Sequence, residues 1–275
     1  MKVQIKESDH LLPRFWVGLF TLGFSLLLFV EQPEFSNLLY ELPESWAEAI
    51  LGTLLPSGAE LYEFDKWVTV VVILLNLLTL IPKGKKLDRA FLWVGWVGVF
   101  LFYLVKAQSL SYNLGVWMEG LLMISCLPIV WLAWSNRTKL GLKVGLILAT
   151  LTFAGHGLFA LNWYPRPGIF IDMVIRAFHC SESSAELFLM VIGVLDLSLI
   201  FLVAFKKTRK YALWYMVIWG LLTALARPLF NFDPQFASAT LAQWIPEALI
   251  RAPHFLIPLW LLNSDSDGYR KNFEC

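Results

Sequence analysis

Residues 243–263 read QWIPEALIRAPHFLIPLWLLN, an apolar run that nevertheless holds Glu247, Arg251 and His254. At about 100° per residue on an α-helix, these three fall within roughly 60° of each other and share one face. The whole chain is 58% hydrophobic and 16% charged over 275 residues, and its mean hydropathy is +0.63. Soluble domains carry about 25% charged residues. The run therefore reads as a membrane span. Charge inside a span is costly, so ionisable residues there mark a candidate site.

The same reading extends outward over the chain. Eight spans are expected, at about 12–30, 65–81, 90–106, 113–134, 142–161, 185–205, 210–230 and 246–262. Each approaches the length that crosses a hydrocarbon core of about 30 Å. One set of loops is basic: Lys2, Lys6 and Arg14; Lys83, Lys85, Lys86 and Arg89; Arg137, Lys139 and Lys143; Lys206, Lys207, Arg209 and Lys210; Arg270 and Lys271. The alternate set is nearly free of cations. Its first loop carries Glu31, Glu34, Glu41, Glu44, Glu48, Glu60 and Glu63, with no Lys or Arg between the first and last of these. Basic loops stay cytoplasmic, so both termini are expected inside, in a bacterial-type plasma membrane. The first apolar run has no small-residue cleavage site and is expected to remain as a span.

Trp16, Trp67, Trp93, Trp117, Trp134, Trp214, Trp244 and Trp260 fall near the expected span ends. They read as an interfacial belt. Two long loops on the acidic side hold short amphipathic runs. In PESWAEAILGTLLP, Trp46, Ile50, Leu51 and Leu54 line one side, and Ser45 with Glu48 resembles a capping box in competition with a start at Pro43. In PGIFIDMVIRAFHC, Ile169, Phe170, Met173, Ile175 and Phe178 oppose Asp172 and Arg176. Both are expected to lie on the membrane surface or to cover the helices. Cys126, Cys180 and Cys275 are too far apart to indicate a disulfide framework or a zinc ribbon. A net charge of +1 with no extended basic patch gives no sign of nucleic-acid binding.

The chain reads as doubled. Trp93 precedes Lys106 by 13 residues, and Trp214 precedes Arg227 by 13. Asn76 in the second span matches Asp196 in the sixth. Glu119 and Pro128 in the fourth match Glu247 and Pro258 in the eighth. Each half begins and ends on the same side, so the repeat would be parallel, about an axis along the membrane normal. The expected fold is all-α: a polytopic membrane helix bundle of about eight transmembrane helices. Two four-helix units, 1–134 and 135–275, would form a single membrane domain.

GHGLFALNWYP, IGVLDLSL, WGLLTALARPLF and EALIRAPHFLIPLWLL, within residues 142–262, resemble the DoxX-like membrane proteins. That resemblance implies four-helix units with a long loop after the first helix and an acidic residue in the second. Asp196 fits the acidic position, and Asn76 in the first half departs from it. It also implies a possible link to quinones, since the family includes a quinone-reducing subunit. No cofactor-binding motif carries over.

The unusual polar residues of the second half are His156, Asp196, Arg227, Glu247, Arg251 and His254. By depth along their spans they converge on a cluster that opens away from the cytoplasm, with Lys106 and Glu119 nearby. Asp196 and Glu247 balance Arg227 and Arg251 in number, and Asp196 with Arg251 is one candidate buried pair. Arg227 and Glu247 snorkelling to the interface is the structural alternative. Pro253 and Pro258 cannot donate to the carbonyls of Leu249 and His254, so those carbonyls need other partners, Arg251 among them. A metal or haem centre would need His156, His179 and His254 to meet, and their spacing does not suggest it.

Three classes of function follow. In the first, a quinone-linked or other lipophilic-substrate oxidoreductase component, His254 or Asp196 moves protons and Arg227 or Arg251 holds a carbonyl or anionic head. The second is a lipid or small-molecule carrier or binding module without chemistry. The third is a membrane subunit whose acidic first loop docks a partner protein. No nucleophile elbow or phosphate-binding loop is present in the sequence.

Overall fold

A computed structural model describes residues 8–54, 61–80, 85–135 and 137–266. Lys2, Lys6, Lys83, Arg270, Lys271 and Cys275 lie outside the described residues, as do the side chains of Lys85, Lys86, Arg89, Leu51 and Leu54. Among the described residues the fold is all-α. The helices are α1 (Ser8–Glu31), α2 (Glu44–Leu54), α3 (Leu61–Leu77), α4 (Lys85–Ser109), α5 (Leu114–Trp134), α6 (Thr138–Ala160), α7 (Gly168–Phe178), α8 (Glu182–Leu202), α9 (Lys206–Phe230), α10 (Ala237–Leu249) and α11 (Ala252–Ser266). Three short 3-10 turns join them, at Phe35–Glu41, Leu78–Leu80 and Pro234–Phe236.

Seven of these segments are long and apolar enough to cross a membrane, with α10 and α11 together forming the last. This is an integral, multi-pass membrane protein. The sequence suggested eight spans, and the difference is α3. It has 17 residues, starts among Glu63, Asp65 and Lys66, and gains length only through the turn Leu78–Leu80. Asp65 is buried and holds the 3-10 turn Phe35–Glu41 against α3. It accepts from the Ser36 amide, and from Ser36 Oγ at 2.8 Å. Asp65→Ala leaves that buried amide without a partner, a loss of about 1–3 kcal/mol. Hydrogen exchange should then speed up at Ser36 while α5 and α6 stay protected.

Local starts and stops follow the residues. Asn113 caps α5 by accepting from the Gly115 amide at 2.7 Å, and Ser181 caps α8 by accepting from the Ser184 amide at 3.3 Å. The α2 helix begins from the Pro43 carbonyl, which accepts from Trp46 and Ala47. Ser45 is inside the helix, so the capping-box alternative fails there. The α7 helix ends at His179, whose φ of 50° breaks the helical path.

The two sequence halves are packed together. The α5 and α6 helices lie side by side across the midpoint, and α1 of the first half lies against α10 and α11 of the second. One continuous apolar core joins them, built on Trp16, Phe20, Phe24, Leu122, Leu127, Leu213 and Met216. Trp16 and Trp260 belong to this core, not to an interfacial belt. They are 0% and 4% exposed, with edge-to-face rings 5.6 Å apart. Trp67, Trp93 and Trp214 are exposed, as the belt requires.

The last span is broken. Pro253 cannot donate to the Leu249 carbonyl, and the chain tightens into a turn at Ile250 and Arg251. There Arg251 N bonds Ala248 O at 3.2 Å, and His254 N bonds Arg251 O at 2.9 Å. Two glycines let neighbours close on the break. A Cβ on Gly23 of α1 would stand 2.4 Å from Leu249 Cβ, and one on Gly220 of α9 would stand 2.8 Å from the His254 carbonyl oxygen. That carbonyl is the one Pro258 leaves without an intrahelical donor.

Candidate functional site

Glu247, Arg251 and His254 sit at this break, so they do not share one continuous helix face. Glu247 is on α10, Arg251 in the turn and His254 on α11. Arg251 is 6% exposed and joins the two halves of the chain. Its Nη1 donates to the Glu247 carbonyl at 2.8 Å and also contacts the Glu247 carboxylate. Its Nη2 lies 3.7 Å from Glu119 Oε1 on α5. Arg227, at the end of α9, places Nη1 3.6 Å from Glu247 Oε2.

The pairing differs from the sequence expectation. Asp196 pairs with neither arginine. It is 1% exposed and accepts a hydrogen bond from Tyr215 Oη at 2.8 Å. Glu119 takes its place as the second carboxylate of the arginine network. Arg227 is 8% exposed, which removes the snorkelling alternative for that residue. Arg251 caps the Glu247 carbonyl, not that of Leu249. His156 on α6 meets His254, with their Nε2 atoms 3.3 Å apart. His179 stands apart, exposed at the end of α7. Among the described residues no three His, Cys, Asp or Glu side chains gather as a metal site.

Five of the six residues singled out in the sequence line one cavity of about 310 Å³: His156, Asp196, Arg227, Arg251 and His254. Glu247 stands behind the arginines, outside the lining. The helical period builds the rest. Phe170, Met173, Val174, Ala177 and Phe178 face the cavity from α7, spaced as one amphipathic stripe. Phe188, Leu189 and Ile192 of α8 precede Asp196, and Trp219, Leu222, Thr223 and Ala226 of α9 precede Arg227. The walls are thus apolar and aromatic, with charged and hydrogen-bonding groups gathered on one side. That is the usual make-up of a small-molecule site. The short helix after Pro167 covers the helices, as its pattern indicated, although its Ile169 and Ile175 are not on the cavity side.

One donor in the lining is unused. Arg227 Nε is buried and has no hydrogen-bond partner. Buried polar groups are rarely left so, and each exception calls for an explanation. Tyr215 was missed in the sequence, yet its spacing of 4, 7 and 11 residues before Trp219, Leu222 and Ala226 puts it on the cavity stripe of α9. Glu119 was noted, but no feature of one helix reveals that it meets Arg251 from another.

Fold and cavity together define a class: a multi-pass helical membrane protein with a polar-floored pocket inside one part of its bundle. No protein-family model matches the chain, and no curated protein or solved structure matches it either.

Proposed function

We propose that this cavity binds a lipophilic molecule with a polar head, of the quinone class, and that the protein is the membrane component of a quinone-linked oxidoreductase. The observation that carries this reading is the unpartnered Arg227 Nε at the polar side of an otherwise apolar, aromatic cavity. A quinone offers carbonyl acceptors to such a donor. Its reduction also takes two protons, and two hydrogen-bonded pairs lie at the cavity, Asp196 with Tyr215 and His156 with His254. Histidine is suited to proton exchange near neutral pH. The two electrons come from a redox partner protein.

The DoxX-like resemblance and the parallel repeat belong to the same proposal. Lys106 with Glu119 in the first half corresponds to Arg227 with Glu247 in the second. With α3 and its turn Leu78–Leu80 taken as an eighth crossing, the loop charges support a bacterial-type plasma membrane with both termini in the cytoplasm and α7 on the opposite side. A second reading is a carrier or binding module for an anionic lipid, without chemistry. It is favoured by Arg227 and Arg251 lining the cavity while Glu247 does not.

The test is native mass spectrometry of the full chain released from nanodiscs loaded with a long-tailed prenylquinone. One quinone per chain is expected. Arg227→Met removes a charge-assisted hydrogen bond of about 1.5–3 kcal/mol, so affinity should fall roughly 10- to 100-fold. Wild type that retains no quinone, or a variant that retains it equally, contradicts the proposal. Retention of an anionic lipid in preference to quinone selects the second reading.

A further inference from the structure

The cavity is closed at one end by α7. That helix turns Phe170, Met173, Val174 and Ala177 inward, and Phe178 at its end lines the rim. It is tied down on both sides: Arg176 Nη1 donates to the Phe230 carbonyl of α9 at 3.1 Å. In the segment that leads into α7, Arg166 Nε donates to the Ala160 carbonyl at 3.0 Å, and its Nη1 lies 3.6 Å from Glu186 Oε1 of α8. An approach from the water on that side meets this tethered roof.

The flank of the bundle is different. The α8 helix packs chiefly on α6, and α9 chiefly on α10 and α11, so α8 and α9 part along the cavity. The lining is buried at its polar side and open at this parting. Asp196, Arg227 and His254 are 1%, 8% and 4% exposed, whereas Leu222 of α9 is 53% and Phe178 of α7 is 61% exposed. Leu222 lies in the apolar stretch of α9, so the opening faces hydrocarbon. The polar groups lie at the buried end of this space and Leu222 at its open end, so a head seated at Arg227 directs a longer tail out past Leu222.

We infer that the ligand enters sideways from the bilayer between α8 and α9, seats its head at Arg227, and leaves its hydrocarbon chain outside among the lipids. This rests on the cavity being a lipophilic-ligand site, and it narrows the ligand to membrane-dissolved, single-headed amphiphiles with a long tail. The tail makes apolar contact along Leu222 and Phe178 and holds the head in place. A water-soluble analogue of the same ring lacks that contact.

The experiment follows occupancy of the full chain in nanodiscs by native mass spectrometry after mixing, with a long-tailed prenylquinone and with the same ring lacking its tail. The tailed form is expected to bind at least tenfold more tightly at equal concentration in the bilayer. Leu222→Trp, a lipid-exposed change, should slow its uptake at least tenfold. Arg176→Ala, which loosens the roof, should leave the uptake rate of the tailed form unchanged. Equal binding of the tail-less ring, or faster uptake in Arg176→Ala with none of the slowing at Leu222→Trp, overturns sideways entry and leaves the quinone site standing. Binding of neither compound overturns the quinone site itself.

Discussion

Arg251→Met is expected to cost about 3–5 kcal/mol of stability, the penalty for leaving a buried ion without its partner. Arg251 stands between Glu247 and Glu119 and adds an ion pair to the packing of the last span on α5. Its removal leaves two carboxylates near each other, with Arg227 at 3.6 Å from Glu247 and the Lys106 charge acting on both as the remaining counter-charges. The loss should appear as a large fall in the thermal unfolding midpoint of the purified protein in detergent. Glu119→Gln added to Arg251→Met should recover part of the loss, because it removes one of the two carboxylates that the lost arginine held together. A single variant as stable as wild type, or a double variant less stable than the single, contradicts this account of the network. The expectation concerns stability. The proposed ligand contact is assigned to Arg227, whose Nε is unpartnered.

The second large effect belongs to the helix break. Gly23→Val is expected to destabilise the protein by about 1–3 kcal/mol or more, as overpacking does. A Cβ at Gly23 meets Leu249 Cβ at 2.4 Å and the Ile250 backbone nitrogen at 2.8 Å. The second of these is main chain in the turn that sets Arg251, so it cannot swing aside. The α1 helix must move away from α10, and the arginine network loosens with it. Gly18 on the same helix is the control, since nothing lies within 4 Å of its added Cβ. Gly18→Ala should be neutral or slightly stabilising, because alanine favours the helix by about 0.5–1 kcal/mol. Unfolding of the two variants beside wild type, in the same detergent, checks the contrast. Equal effects at Gly18 and Gly23 would refute close packing at the break.

How much of this was legible in the sequence depends on the range of the physics involved. Apolar runs and their lengths are local, and they reveal the membrane-spanning helices. The exception, α3, arises where Glu63, Asp65 and Lys66 shorten the apolar run while Asp65 serves a contact to Ser36 that no periodicity encodes. The break in the last span was also local, since Pro253 removes one donor. Its consequence was not. Gly23 and Gly220 fit against the break from α1 and α9, and their roles depend on how helices cross.

The candidate site divides in the same way. The polar residues of the second half stand out against their apolar surroundings, and five of them line one cavity. The stripe of α7 was readable because amphipathicity is a property of one helix. Partner choice was not readable. Asp196 with Arg251 balances charge on paper, but Asp196 faces Tyr215 while Arg251 turns to Glu247 and Glu119. Charge counting fixes how many ions must be compensated. The rotation of each helix decides which ones meet.

The central claim is that the cavity holds the head of a lipophilic ligand at Arg227. A high-resolution density map of the protein in nanodiscs of its native lipid tests it most directly. The expected result is elongated density that begins within hydrogen-bond distance of Arg227 Nε and leaves the protein between α8 and α9. A cavity filled by protein side chains, with Arg227 Nε bonded to a protein acceptor, would contradict the claim.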